Sequence, residues 1–221
     1  IEPEGDRAAI EEILGRLFAR EGAAAGERDE QRDAARTAAT RRLCVISGGP
    51  GTGKTSTVVK ILALLVEQRR RSGARPLRVV LLAPTGKAAA RLTESIQQAT
   101  RDLACSEDVR SAIPREASTI HRALGSIRGS GTRFRHDATR PLRADVVLVD
   151  EASMVDLALM SRLVDAVPPD ARLILLGDKD QLASVEAGAV LGELCAVAAT
   201  APEEDSAAPE APLASLVVHL T

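Results

Sequence analysis

Eight residues, GGPGTGKT at 48–55, carry the spacing G-x-x-x-x-G-K-(S/T), with an apolar run before them and a helix-forming run after. Glycines let backbone N–H groups turn inward around phosphate oxygens, and the start of a helix adds partial positive charge. In such a loop Lys54 reaches the β- and γ-phosphates of a bound nucleotide and Thr55 holds Mg²⁺. The acids Asp150 and Glu151 end a second apolar run, in VVLVDEAS at 146–153. Asp150 is placed to bind Mg²⁺ through water, and Glu151 to polarise a water for in-line attack on the γ-phosphate. Read alone, that pair equally fits a helix N-cap followed by a first-turn acid. A third run, LILLGDKDQLASVEAG at 173–188, delivers Asp178, Asp180 and the neutral amide of Gln181 to the end of a strand. At 84–87, PTGK lies where a strand ends and a helix begins, so its N–H groups and Lys87 can grip a backbone phosphate without reading sequence. A phosphate loop with an acid pair is the equipment of nucleoside triphosphate hydrolysis.

Such groups need a scaffold that brings strand ends together. LCVIS (43–47) precedes the loop and the helix-forming KTSTVVKILALLVEQRR; LRVVLLA (77–83) precedes KAAARLTESIQQATRDL. ADVVLVD (144–150) precedes a helix near 155–166, and RLILLG (172–177) precedes the third motif. Nearly continuous apolar runs are how strands buried on both faces read, and the repeated strand–helix unit predicts an α/β fold, a mostly parallel sheet with helices on both faces. In such sheets ligands sit beyond the carboxyl ends of the strands, where every polar motif here falls.

Around this frame, residues 7–20 predict an amphipathic helix through Ile10, Ile13, Leu14 and Leu17, and GAAAGERDE reads as a linker. Residues 1–26 are therefore read as the end of a preceding domain and 27–198 as the ATPase domain. After Ala196 the Ala/Pro/Glu-rich composition predicts a flexible connection at 199–216. The stretch 217–221 reads as the start of a second domain. Arg69, Arg70 and Arg71 end a helix where cations favour its dipole, and are read as a solvated helix end without a site.

With 221 residues, 45 % hydrophobic and 27 % charged, the chain can bury a sizeable core. A net charge of −2 is no global signature of a nucleic-acid binder, and two Phe with no Tyr or Trp leave few rings for base stacking. Any nucleic acid would be held in a local groove. Cys44, Cys105 and Cys195 form no CxxC pair or zinc set, which suits a reducing, cytoplasmic setting. No apolar run reaches the roughly 18 residues of a membrane span, and no secretory leader is evident.

In order, ISGGPGTGKT, LAPTGKAAARLTESI, STIHRALG, VLVDEASMVD and LGDKDQLASVEAGAVLGELC resemble motifs of superfamily 1 helicases, and within them of RecD-type subunits of bacterial helicase-nucleases. Gln31, 17 positions before Gly48, resembles the upstream glutamine that reads adenine. The resemblance implies a RecA-like P-loop domain acting on ATP with Mg²⁺. It places Gln31, Gly48, Gly49, Pro50, Gly51, Thr52, Gly53, Lys54, Thr55 and Ser56 around the nucleotide. Lys54, Asp150, Glu151 and Gln181 become the catalytic set, with Thr55 and Asp150 facing the metal. Gln181 would report the γ-phosphate to the DNA path, lined by Pro84, Thr85, Lys87, Thr119 and His121. It further implies single-stranded and duplex-end DNA and RecB- and RecC-like subunits as partners, 5′-to-3′ movement, and arginines contributed by a second motor domain. On their own residues, Thr85 with Gly86 also fits a helix cap, and His121, near Ile120 and Leu124, a core histidine. A nucleotide-binding docking module, or a P-loop ATPase acting on RNA or protein, are the alternative functions.

Overall fold

Among the described residues the chain forms six strands: β1 (Leu43–Gly48), β2 (Val79–Ala83), β3 (Ala117–Thr119), β4 (Val146–Val149), β5 (Arg172–Gly177) and β6 (Val217–Leu220). The computed structural model describes residues 4–19, 29–127, 133–178, 189–200 and 216–220. The strands form one sheet in the order β3-β2-β4-β5-β1-β6, and every pairing is parallel. All the strand ends that carry motifs therefore point the same way.

Side-chain alternation assigns the two faces. Cys44, Ile46, Val146, Leu148, Ile174 and Leu176 pack into one cluster with α1 (Glu4–Leu17), α2 (Glu30–Thr40), α3 (Lys54–Arg71), α4 (Gly86–Arg101) and the short α5 (Glu107–Ala112). Their neighbours Val45, Val147, Val149, Leu173 and Leu175 point into the other, with α6 (Ile120–Leu124), α7 (Leu157–Ala166) and α8 (Ala189–Thr200). Near-complete burial of both faces accounts for the continuous apolar character of these strands. The reading as a RecA-like α/β domain with helices on both faces holds.

Several boundaries depart from the sequence reading. Residues 217–221, expected to open a second domain, instead contribute β6, which pairs with β1 from Val45↔Val217 to Gly48↔Leu220 in the same sheet. The helix within residues 1–26, expected to end a preceding domain, packs on this one: Ile10, Ile13, Leu14 and Leu17 of α1 are buried in the same core cluster as α3. The alanines after Ala196 do not end α8, which runs to Thr200, as the highest helix propensity of any residue favours. Nor are Arg70 and Arg71 a merely solvated helix end. Arg70 pairs with Asp108 at 2.7 Å, and Arg71 forks onto both Glu12 oxygens at 2.9 Å and onto Glu67 at 3.0 Å, clamping α3 to α1 and α5. The linker GAAAGERDE lies almost wholly outside the described residues, as does the connection before β6.

A single carboxylate seals the other end of the sheet. Asp145, just before β4, accepts two hydrogen bonds from Arg75 (2.8 and 2.5 Å) and one from the Arg78 N–H (2.9 Å), while its own backbone joins Arg78 and Arg172. Burial alone would raise its pKa, but the Arg75 and Arg78 bonds outweigh that and hold it below the ordinary value. A depressed carboxylate pKa stabilises the fold above the unfolded value near 4, and that stabilisation is lost as pH falls through the folded pKa. Asp145→Asn is expected to cost about 1 kcal/mol at pH 7, because Arg75 is half exposed and its pairing is screened. Thermal melts should show a deficit of about 2–4 °C at pH 7 that shrinks below about pH 4. A deficit independent of pH would show that charge plays no part.

Candidate nucleotide-binding site

Between β1 and α3 the chain turns through Gly51 (φ 86°) and Gly53 (φ 80°), left-handed conformations that side chains resist. Gly53 caps the 18-residue α3, so the helix's unpaired N–H groups open onto the loop's concave side. Gly48 has a steric reason to be glycine: a Cβ there would lie 2.6 Å from Thr52 Oγ1 and 3.0 Å from the Leu220 carbonyl oxygen. Packing of β6 thus helps set the base of the loop. Thr52 Oγ1 donates to the Gly49 carbonyl at 3.0 Å, and the Lys54 ammonium donates to the carbonyls of Gly48 and Gly49, the latter at 2.8 Å.

The loop opens on a cavity of about 430 Å³. Gly49, Pro50, Gly51, Gly53, Lys54, Thr55 and Ser56 line it on one side and Asp150 and Glu151 on another. Residues about 100 positions apart in sequence thus share one space because β1, β5 and β4 are neighbours with parallel ends. Gly48, Thr52 and Gln31 do not line it; they support the loop from behind. Gln31, in the first turn of α2, donates from Nε2 to the Thr52 carbonyl at 3.3 Å, and a Cβ on Gly53 would lie 2.5 Å from that nitrogen.

At the end of β4, Asp150 is partly buried and its Oδ1 accepts from the Glu151 N–H at 2.9 Å. Burial raises its pKa above the ordinary carboxylate value, with the nearby Glu151 charge acting the same way and the Glu151 N–H and Lys54 opposing. Glu151 has φ 52° and ψ 41°, the one non-glycine left-handed residue among those described. That conformation is strained for a residue with a Cβ, and Asp150's carboxylate pins it from the side. The alternative of a helix N-cap is not what forms: Glu151 makes no side-chain cap bond, and Asp156 caps α7 instead.

The proposed DNA-path residues sit at other strand ends on the same rim. Thr85 accepts from the Ala88 N–H at 3.1 Å and Thr119 from the Arg122 N–H at 3.2 Å, so both hydroxyls are helix caps, of α4 and α6. Pro84 is half-buried, Thr85 and Lys87 are exposed, and so is His121, whose ring meets Phe134 at 5.8 Å between centroids. His121 is not a core histidine. Gln181 and Asp180 lie outside the described residues, while Asp178 is buried at the end of β5. Sequence reasoning missed Arg91 and Ser95, which bring α4 into the cavity wall. Their spacing from Lys87, four and eight residues along one helix, was the signal available.

A family model described as an AAA domain matches residues 31–187. The chain is 52 % identical over 166 residues to the RecBCD enzyme subunit RecD of Mycolicibacterium smegmatis, a match covering 75 % of this chain and 30 % of that protein. With the RecBCD enzyme subunit RecD of Haemophilus influenzae, identity is 48 % over 170 residues, 75 % of this chain and 26 % of the relative. The ATP-dependent RecD2 DNA helicase of Deinococcus radiodurans is 42 % identical over 175 residues, 79 % of this chain and 21 % of the relative. The chain spans less than a third of the length of these curated relatives. The matched segment opens at Gln31 behind the phosphate loop and takes in Lys54 and the Asp150–Glu151 pair, and on that evidence the chain belongs to the AAA domain family and stands within it among RecD-type helicase sequences.

Proposed function

We propose that this chain is the first motor domain of an ATP-dependent DNA helicase subunit, moving 5′ to 3′ on single-stranded DNA within a helicase-nuclease used in break repair. The observation that carries the reading is the shared cavity of about 430 Å³, which joins a phosphate loop to a partly buried aspartate and a strained glutamate. Lys54 and the N–H groups of Gly51, Gly53, Lys54, Thr55 and Ser56 hold the β- and γ-phosphates, and Gln31 is the residue that reads adenine. Glu151 accepts the proton of a water whose oxygen bonds to the γ-phosphorus as the bond to the bridging oxygen breaks and ADP leaves with its electrons.

The residues fit Mg²⁺. One hydroxyl at Thr55 and one partly buried carboxylate at Asp150 suffice, since this ion keeps several waters and takes its remaining ligands from phosphate. Bound there, Mg²⁺ neutralises charge on the phosphates. Gln181 couples the γ-phosphate to the path along Pro84, Thr85, Lys87, Thr119 and His121, where single-stranded DNA is gripped by its phosphates. RecB- and RecC-like subunits are the proposed partners and duplex ends the substrate. Among the described residues no helix is long and apolar enough to cross a membrane, and a cytoplasmic setting is part of the proposal.

The test uses the full-length protein. Single-stranded DNA is expected to stimulate ATP hydrolysis about 10-fold or more, and Gln181→Ala to lower that stimulated rate about 10-fold while leaving ATP affinity nearly unchanged. Turnover indifferent to DNA, or stimulated equally by RNA, would sink the reading as a DNA motor. A Gln181→Ala protein that unfolds would make the amide structural instead.

A further inference from the structure

The cavity beside the phosphate loop has a wall that the nucleotide motifs do not supply. Helix α4 contributes Arg91, Leu92 and Ser95 to it. Arg91 is exposed, and its guanidinium makes no hydrogen bond or ion pair with any described residue. The other cation of the cavity, Lys54, is already bonded to loop carbonyls, and the two anions, Asp150 and Glu151, lie across it.

Strand order fixes the sequence of groups across this site. Running β6-β1-β5-β4-β2, Gln31 stands on the β1 side through α2, the phosphate loop follows at the end of β1, and Asp150 with Glu151 ends β4. Arg91 comes last, on the helix that leaves β2. A nucleotide with its base toward Gln31 would direct its phosphate tail toward β4, so the terminal phosphate is the group that approaches Arg91.

Resting on the nucleotide reading above, we propose that Arg91 is a triphosphate-sensing residue supplied within this domain, contacting the γ-phosphate and not the diphosphate. A guanidinium is suited to that place because its planar fork matches phosphate oxygens and its charge cannot be lost. In hydrolysis it stabilises charge on the equatorial oxygens of the γ-phosphoryl while water attacks and the bond to ADP breaks. The same helix face carries Lys87 four residues earlier, at the N-terminus proposed to grip DNA. A rigid α4 would therefore carry a displacement at Lys87 to Arg91 without needing another element.

The experiment is a fluorescence titration of the full-length protein, with Mg²⁺, against labelled ADP and a labelled non-hydrolysable ATP analogue, for wild type, Arg91→Ala and Arg91→Lys. Arg91→Ala is expected to weaken the triphosphate analogue about 10- to 100-fold and leave ADP within about 2-fold, with Arg91→Lys intermediate. Turnover at saturating single-stranded DNA should fall about 100-fold in Arg91→Ala. Unchanged affinity for both nucleotides, or equal weakening of both, overturns the proposal. The exposed, unpaired side chain should leave the melting temperature of both variants at the wild-type value, and a large drop would overturn it as well by making Arg91 structural. Failure of the wild type to bind either nucleotide would instead sink the nucleotide reading itself.

Discussion

Lys54→Gln, in the full-length protein, is expected to lower ATP turnover on the order of 100-fold or more while the protein stays folded. Among the described residues the ammonium bonds only to the carbonyls of Gly48 and Gly49, and it is not part of the hydrophobic core clusters. Glutamine is of similar length and can still donate to one of those carbonyls, so the loop keeps its shape while the positive charge at its centre is gone. Phosphate binding then depends on N–H groups alone, and an uncharged amide contributes little against the charge that develops on the γ-phosphoryl. Steady-state hydrolysis with single-stranded DNA, run beside thermal melts, checks both halves. Turnover within a few-fold of wild type would remove Lys54 from the chemistry, and a melting temperature lowered by about 10 °C would make it a structural lysine.

How far the sequence could be read depended on whether local pattern or partner choice set the outcome. The ends of β5 and the start of α3 were legible because a buried strand is a continuous apolar run and a phosphate loop has fixed spacing. The place of LVVHLT was not. Four strand-forming residues say that a strand exists, not which neighbour it takes, and only the pairing of Val217 to Leu220 with β1 shows that they belong to this sheet. Similarly, Ile10, Ile13, Leu14 and Leu17 announced an amphipathic helix, while the face that covers them, along α3, is a tertiary fact. Arg71 illustrates the same limit for charge. As a helix-end cation it looked solvated, and its fork onto Glu12 requires α1 to be brought 59 residues back onto α3.

Within the site, residues that form motifs are brought together in space, whereas neighbours set by tertiary geometry carry little local signature. Lys54, Asp150 and Glu151 were named from residue type at strand ends, and they share one cavity. Gln31 stands behind the loop and not on the cavity wall, a distinction that spacing from Gly48 could not make. Thr85 shows that two readings can be compatible, since its hydroxyl caps α4 while the same helix start faces the rim. Arg91 carries only a weak local sign, its four-residue spacing from Lys87, because an arginine in a helix is ordinarily solvated, and what it borders is set by the neighbouring walls.

Glu151→Gly is expected to make the protein at least as stable as wild type while lowering turnover about 10²- to 10⁴-fold, the range for loss of a general base. A residue with a Cβ held at φ 52° and ψ 41° is strained by about 1 kcal/mol or more, whereas glycine adopts that conformation freely. Against this, glycine gains more backbone freedom in the unfolded chain, and the two effects are of similar size. Backbone strain of this kind collects at functional sites, which fits a charged side chain in the cavity wall. Glu151→Gln separates strain from chemistry: it keeps the Cβ and the length, so stability should match wild type while turnover falls like that of the glycine variant. Both should bind the ATP analogue with nearly wild-type affinity, because the phosphate loop and Asp150 are intact. Retained turnover in Glu151→Gln would assign the base elsewhere. A glycine variant that is destabilised by more than about 1 kcal/mol would mean that the side chain contributes contacts worth more than its strain.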